Sequence, residues 1–126
     1  MDFIFDLNDG TEGIVCALDS PLHIEGEATI GLRQLHVKFA NPPVICFDLC
    51  CNICGPTYVN GVLTPHLLKR IHVDRAGRTT QQYNPIHYIP IVKSYIDTIE
   101  VYLSNIQTNA ASFELETFSC TLHLQQ

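Results

Sequence analysis

The chain has 126 residues, 46% of them hydrophobic and only 16% charged, with a formal net charge of −6. Such a length and balance point to one folded domain spanning 1–126 and exclude a disordered chain. Seven Lys and Arg against thirteen Asp and Glu leave no basic footprint, so neither nucleic acid nor an anionic membrane is expected as a direct partner.

In chain order, short β-branched or aromatic segments separated by turn residues predict an all-β protein of eight strands. The first strand is DFIFDL (2–7), with Phe3, Phe5 and Leu7 on one face; NDGTEG (8–13) is a turn. The second is IVCAL (14–18), broken by Asp19, Ser20 and Pro21, with PLHIEG (21–26) as a bent continuation. The third is 28–39, where Leu35, Val37 and Phe39 share a face, and ANPP (40–43) stops it. In the fourth, VICFDLCC (44–51), Ile45, Phe47, Leu49 and Cys51 alternate with Val44, Cys46, Asp48 and Cys50. LTPHLLKRI (63–71) is the best helix candidate, but Pro65 breaks it, and HLLKRIHV (66–73) reads as the fifth strand. DRAGRT (74–79) is a turn, 81–89 a weak sixth strand, DTIEVYL (97–103) the seventh and FELETFSCTLHL (113–124) the eighth. In the eighth, Phe113 and Leu115 have one parity and Phe118, Cys120, Leu122 and Leu124 the other, which requires a bulge near Glu116–Thr117. Eight such strands make a two-sheet sandwich or jelly roll; an immunoglobulin topology is disfavoured because the chain has no Trp.

The densest cluster of reactive side chains is DLCCNICG (48–55). Cys51-Asn-Ile-Cys54 has the spacing of a zinc knuckle, but a structural site needs four ligands and no second such pair exists. His66 and His72 could complete one only in space. A thioredoxin-like redox pair wants a helix after the motif, where Gly55-Pro56 stands instead. Cys50 and Cys51 also fall on opposite faces of a regular strand and cannot grip one ion together. The favoured reading is strand residues with buried thiols, with no metal and no cofactor. MDFIFDLNDG has acids and no basic stretch leading into an apolar one, so it is not expected to be a secretory signal, and no run approaches the roughly 18 apolar residues of a membrane span; all six cysteines are therefore read as free.

The six histidines stand singly, and no nucleophile elbow, phosphate loop or nucleotide fingerprint occurs, so no catalytic residue is assigned and the chain is not read as an enzyme. Asp48 sits mid-strand among apolar neighbours. It faces solvent or a partner, or else it is a buried or interface carboxylate paired with Arg33, Lys69 or Arg70. NPIHYIPIVKSYIDTIEVYL (84–103) carries Tyr88, Tyr95 and Tyr102 between prolines, which suits either an interface or a loop that covers the core. The candidate interface residues are therefore Asp48, Tyr88, Tyr95 and Tyr102.

VICFDLC, VNG, HLLKRIHV, YIPIVKSYIDTIEVYLSN and FELETFSCTLHL, in that order, resemble the C-terminal half of the penton-like minor capsid proteins of Polinton/Maverick elements and adintoviruses. PLHIEGEATIGLRQLHVKF (21–39) is similar to that family's upstream paired strands, so the likeness covers about residues 14–124. The chain departs from the family in ending LHLQQ, without the usual basic residue. The resemblance implies a single jelly roll that forms a pentamer at capsid vertices beside a double-jelly-roll major capsid protein. It also implies a place in the virion, in a virus or a domesticated copy, and no catalysis. Two other readings stay open: a lectin-like or cytokine-like jelly-roll trimer that binds a ligand, and a small zinc or redox protein using Cys51 and Cys54.

Overall fold

Alternating side chains become strands along most of the chain. The computed structural model describes residues 1–7, 13–40, 46–104 and 115–126, and these contain eleven strands and no helix. They are β1 (Asp2–Leu7), β2 (Gly13–His23), β3 (Thr29–Phe39), β4 (Cys46–Cys51), β5 (Thr57–Val59), β6 (Val62–Thr64), β7 (Leu67–His72), β8 (Arg78–Gln82), β9 (Tyr88–Pro90), β10 (Tyr95–Ser104) and β11 (Leu115–Gln125). The turn expected at 8–13 and the stop at 40–43 lie almost wholly outside the described residues.

Every strand pairing is antiparallel. One sheet has the order β1-β11-β3-β8, with β9 also on β3; the other has the order β2-β10-β4-β7; β5 and β6 form a separate hairpin. The pairs are nested: β1 with β11, β2 with β10, β3 with β8 and β4 with β7. A single buried cluster draws on both sheets, with Phe5, Leu35, Val37, Phe39, Phe118 and Leu122 from one and Phe47, Leu49, Ile71, Ile99 and Val101 from the other. Phe39 and Phe47 meet across it edge to face at 5.6 Å. Burying each such ring is worth roughly 1.5–3 kcal/mol, so the shared core is what holds the two layers together.

The parity conflict in the eighth strand is resolved as its sequence requires: the register of β11 on β3 shifts between Leu115 and Thr117. A second bulge faces it further along. Leu32 pairs with Leu122 and Gln34 with Thr121, so Arg33 is the extra residue, and the buried set changes from Ile30 and Leu32 to Leu35, Val37 and Phe39.

Three boundaries differ from expectation. β2 continues through Asp19-Ser20-Pro21 because residues 18–21 stand against Asp97 alone, a bulge on an edge strand where Pro is tolerated. The segment expected as one strand over 81–89 is divided into β8 and β9, with the cis peptide Asn84–Pro85 between them. A hairpin, β5–β6, follows the fourth long strand; Asn60 and Gly61 both have positive φ, 50° and 80°, as a two-residue hairpin turn requires.

Candidate functional site

β4 is an inner strand, between β10 and β7, and both its faces are covered. Phe47, Leu49 and Cys51 point into the core as the alternation demands. Asp48 and Cys50 on the other face are also buried, each only 3% exposed. Asp48 pairs across the ladder with Arg70 of β7, whose Nε and Nη2 donate to its two carboxylate oxygens at 2.8 and 3.2 Å. The fork geometry makes this a charge-assisted bidentate pair, and the hydrogen bond to Asp48 raises the pKa of Arg70. Of the partners proposed for Asp48, Arg70 is the one it has. Arg33 reaches Asp2 instead at 3.4 Å, and Lys69 lies over the Tyr83 ring.

The three tyrosines are not brought together. Tyr88 on β9 lies on the outer face of the first sheet, hydrogen-bonded through its hydroxyl to His123 Nδ1 at 2.7 Å. That tie holds β9 against β11, and it gives His123 a structural partner. Tyr102 pairs across from Cys50 on the outer face of the second sheet, where burial and the neighbouring thiol push its hydroxyl up to about 12. Tyr95 is the open one, 51% exposed, with its ring edge-on to His23 at 5.0 Å. Among the sequence-derived candidates, Tyr95 is thus the side chain best placed to meet another molecule.

The residues that reasoning from sequence missed lie on the β5–β6 hairpin. Tyr58, Val62 and Leu63 are 51–72% exposed there, and the run from Leu49 to Leu68 contains no charged residue. The Asn60-Gly61 pair was the available signal. Exposed apolar residues grouped on one hairpin are the usual mark of a contact surface.

Cys51 ends β4 and Cys54 closes the turn that follows, its N–H donating to the Cys51 carbonyl at 3.1 Å. Both thiols are fully buried in the core. His66 approaches this turn by its ring, but Nδ1–H donates to the Cys54 carbonyl at 3.0 Å and not to sulfur. Among the described residues, no three His, Cys, Asp or Glu side chains are grouped so as to hold a metal ion. The six cysteines are free. Burial pushes Cys50 up to about 12 and also raises Cys120.

Searches for similar proteins return no match among family models, curated proteins or solved structures.

Proposed function

We propose that the protein is an assembly subunit with a single jelly-roll fold: a penton-like minor capsid protein that forms a pentamer at capsid vertices, viral or domesticated, beside a double-jelly-roll major capsid protein. The observation that supports this reading is the nested pairing. A jelly roll arises when one long hairpin rolls up into a double Greek key, and the pairing of β1 with β11, β2 with β10, β3 with β8 and β4 with β7, successive pairs falling in alternate sheets, is the pattern such a roll requires. In this reading β8 and β9 count as one interrupted strand, and β5–β6 is an insertion between the fourth and fifth of eight. The ordered resemblance of the strand motifs points the same way. A low charged fraction and an exposed, uncharged hairpin suit a surface that identical chains of net charge −6 can share without repulsion. Rings arise from such heterologous contacts when the rotation closes.

Sedimentation and native mass spectrometry of the purified protein test this. The expected mass is five times 14.1 kDa, with ring-shaped particles by electron microscopy. A strict monomer at high protein concentration and high salt would overturn the proposal, and a trimer that retains a ligand would replace it with the ligand-binding reading.

A further inference from the structure

We propose that Cys51 and Cys54 are a built site for reversible dithiol–disulfide exchange with a low-molecular-weight disulfide, with His66 as its positioning residue. The Cys54 N–H to Cys51 carbonyl bond makes 51–54 a turn. A turn keeps its first and fourth Cα atoms within about 7 Å, which overlaps the range a disulfide spans. Both side chains are wholly buried in the same core cluster, and each thiol shifts the pKa of the other.

The backbone of this turn is held at each corner. The Cys51 N–H donates to the His66 carbonyl at 2.9 Å, and His66 Nδ1–H donates to the Cys54 carbonyl at 3.0 Å. One residue thus clasps both cysteines, and it does so with φ at 61°, a conformation that a non-glycine residue adopts only when its surroundings hold it there. The Asn52 side chain donates to the Thr98 carbonyl at 3.2 Å and accepts from the Glu100 N–H at 2.9 Å; the Ile53 carbonyl accepts from the Val92 N–H at 3.1 Å. Oxidation therefore joins two sulfurs whose backbone is already fixed, with little further ordering. Cys50 has no part in this, because it points to the opposite face of β4, against Tyr102.

The exchange balances as follows. The Cys51 thiolate attacks one sulfur of the small disulfide, which releases one thiolate and leaves a mixed disulfide on Cys51. Cys54 loses its proton and attacks the Cys51 sulfur, which releases the second thiolate. The two protons from the protein end on the two small thiols, and the two electrons reduce the small disulfide. Since both sulfurs are buried, the first attack waits on a local opening of the turn, which governs the rate and not the equilibrium.

The test is equilibration of the folded, fully reduced protein with graded mixtures of oxidised and reduced glutathione, followed by acid quench, alkylation and mass mapping. The expected product has four alkylatable thiols of the six, a Cys51–Cys54 link, and complete reversal by dithiothreitol. Cys51→Ser and Cys54→Ser abolish it, and Cys50→Ala leaves it. His66→Ala lowers the oxidation equilibrium constant about fivefold, the worth of one net hydrogen bond, and His66→Asn, which tolerates positive φ and can donate, restores it. Six free thiols at every ratio in the folded protein, while the urea-unfolded chain forms disulfides, would overturn the proposal. So would a link through Cys50 or Cys120. An unchanged constant in His66→Ala would remove the positioning role. None of these outcomes depends on whether the protein forms a pentamer.

Discussion

The Asp48 carboxylate has its two oxygens taken by Arg70, and its side chain is 4% exposed where that of Arg70 is 35% exposed. The asymmetry fixes how the pair responds to substitution. Arg70→Ala leaves a buried negative charge whose replacement partner is water entering from the side of β7. The cost is about 2–3 kcal/mol, below the 3–5 kcal/mol of a fully enclosed pair because the vacated site reaches solvent. Adding Asp48→Asn removes the stranded charge and recovers about half of that loss. Urea denaturation of the two variants checks this, and a loss below about 0.5 kcal/mol for Arg70→Ala, as for exposed ion pairs, would refute it. Alternation placed Asp48 opposite Phe47 and Leu49, and that face assignment holds. The sequence offers both an open and a buried, Arg-paired Asp48 and cannot choose between them, because period-two patterning assumes one wet face, whereas β4 lies between β10 and β7, whose Tyr102 and Arg70 flank it on that outer side. The same blind spot hid the contact between Tyr88 and His123, which joins residues 35 apart in sequence.

β3 owes its place to a glycine. A Cβ on Gly31 would collide with the Ile86 side chain and stand 2.6 Å from the His87 carbonyl oxygen, because the segment between β8 and β9 lies directly on the sheet there. The isoleucine could rotate away, but the carbonyl belongs to backbone and cannot. Gly31→Ala is therefore expected to cost about 1–3 kcal/mol, as overpacking does, and to lift Tyr88 from His123. Thermal melts measure the first effect and the His123 ring resonances the second; a variant with wild-type stability and an unmoved His123 would show that the segment yields freely. Most long strands were legible because their apolar residues recur at every second position. The β11 bulge was legible for the same reason, since Leu115 and Phe118 conflict in parity. The bulge at Arg33 carries an equal signal, since Ile30 and Leu32 conflict in parity with Leu35 and Val37. β5 and β6 escaped because three-residue strands with apolar side chains on exposed positions have no alternation to read. The division of 81–89 could not be seen either, since it depends on how closely this segment approaches Gly31.

Periodicity tells which face of a strand is wet and says nothing about which strand lies beside it, so the nesting of β1 on β11 across the length of the chain became visible only in three dimensions. What the whole molecule does with its cysteines is also a property of that packing. Cys50 is raised from 9.0 to about 12 by burial and by the Asp48 charge, Cys120 is raised by burial, and Tyr102 is raised from 10.0 to about 12 by burial and by Cys50. Each of these groups is neutral when protonated and stays protonated in the folded state at pH values where the unfolded chain has ionised. Between about 9 and about 12 the unfolded state therefore binds fewer protons than the native state, and stability falls as pH rises, by at most about 1.4 kcal/mol per pH unit for each group. Within the Cys51–Cys54 pair Cys51 is lowered and Cys54 raised, so above about pH 9 Cys54 adds to the same fall while Cys51 acts only below it. Under reducing conditions the urea midpoint is expected to be unaffected by the raised groups up to about pH 8 and to drop steeply from about pH 9. Cys120→Val, which keeps the volume of the core and removes one ionisable group, reduces that slope. A midpoint that holds level to pH 11 would mean that the thiols meet water in the native state, and with it would go the fully packed core from which their shifts arise.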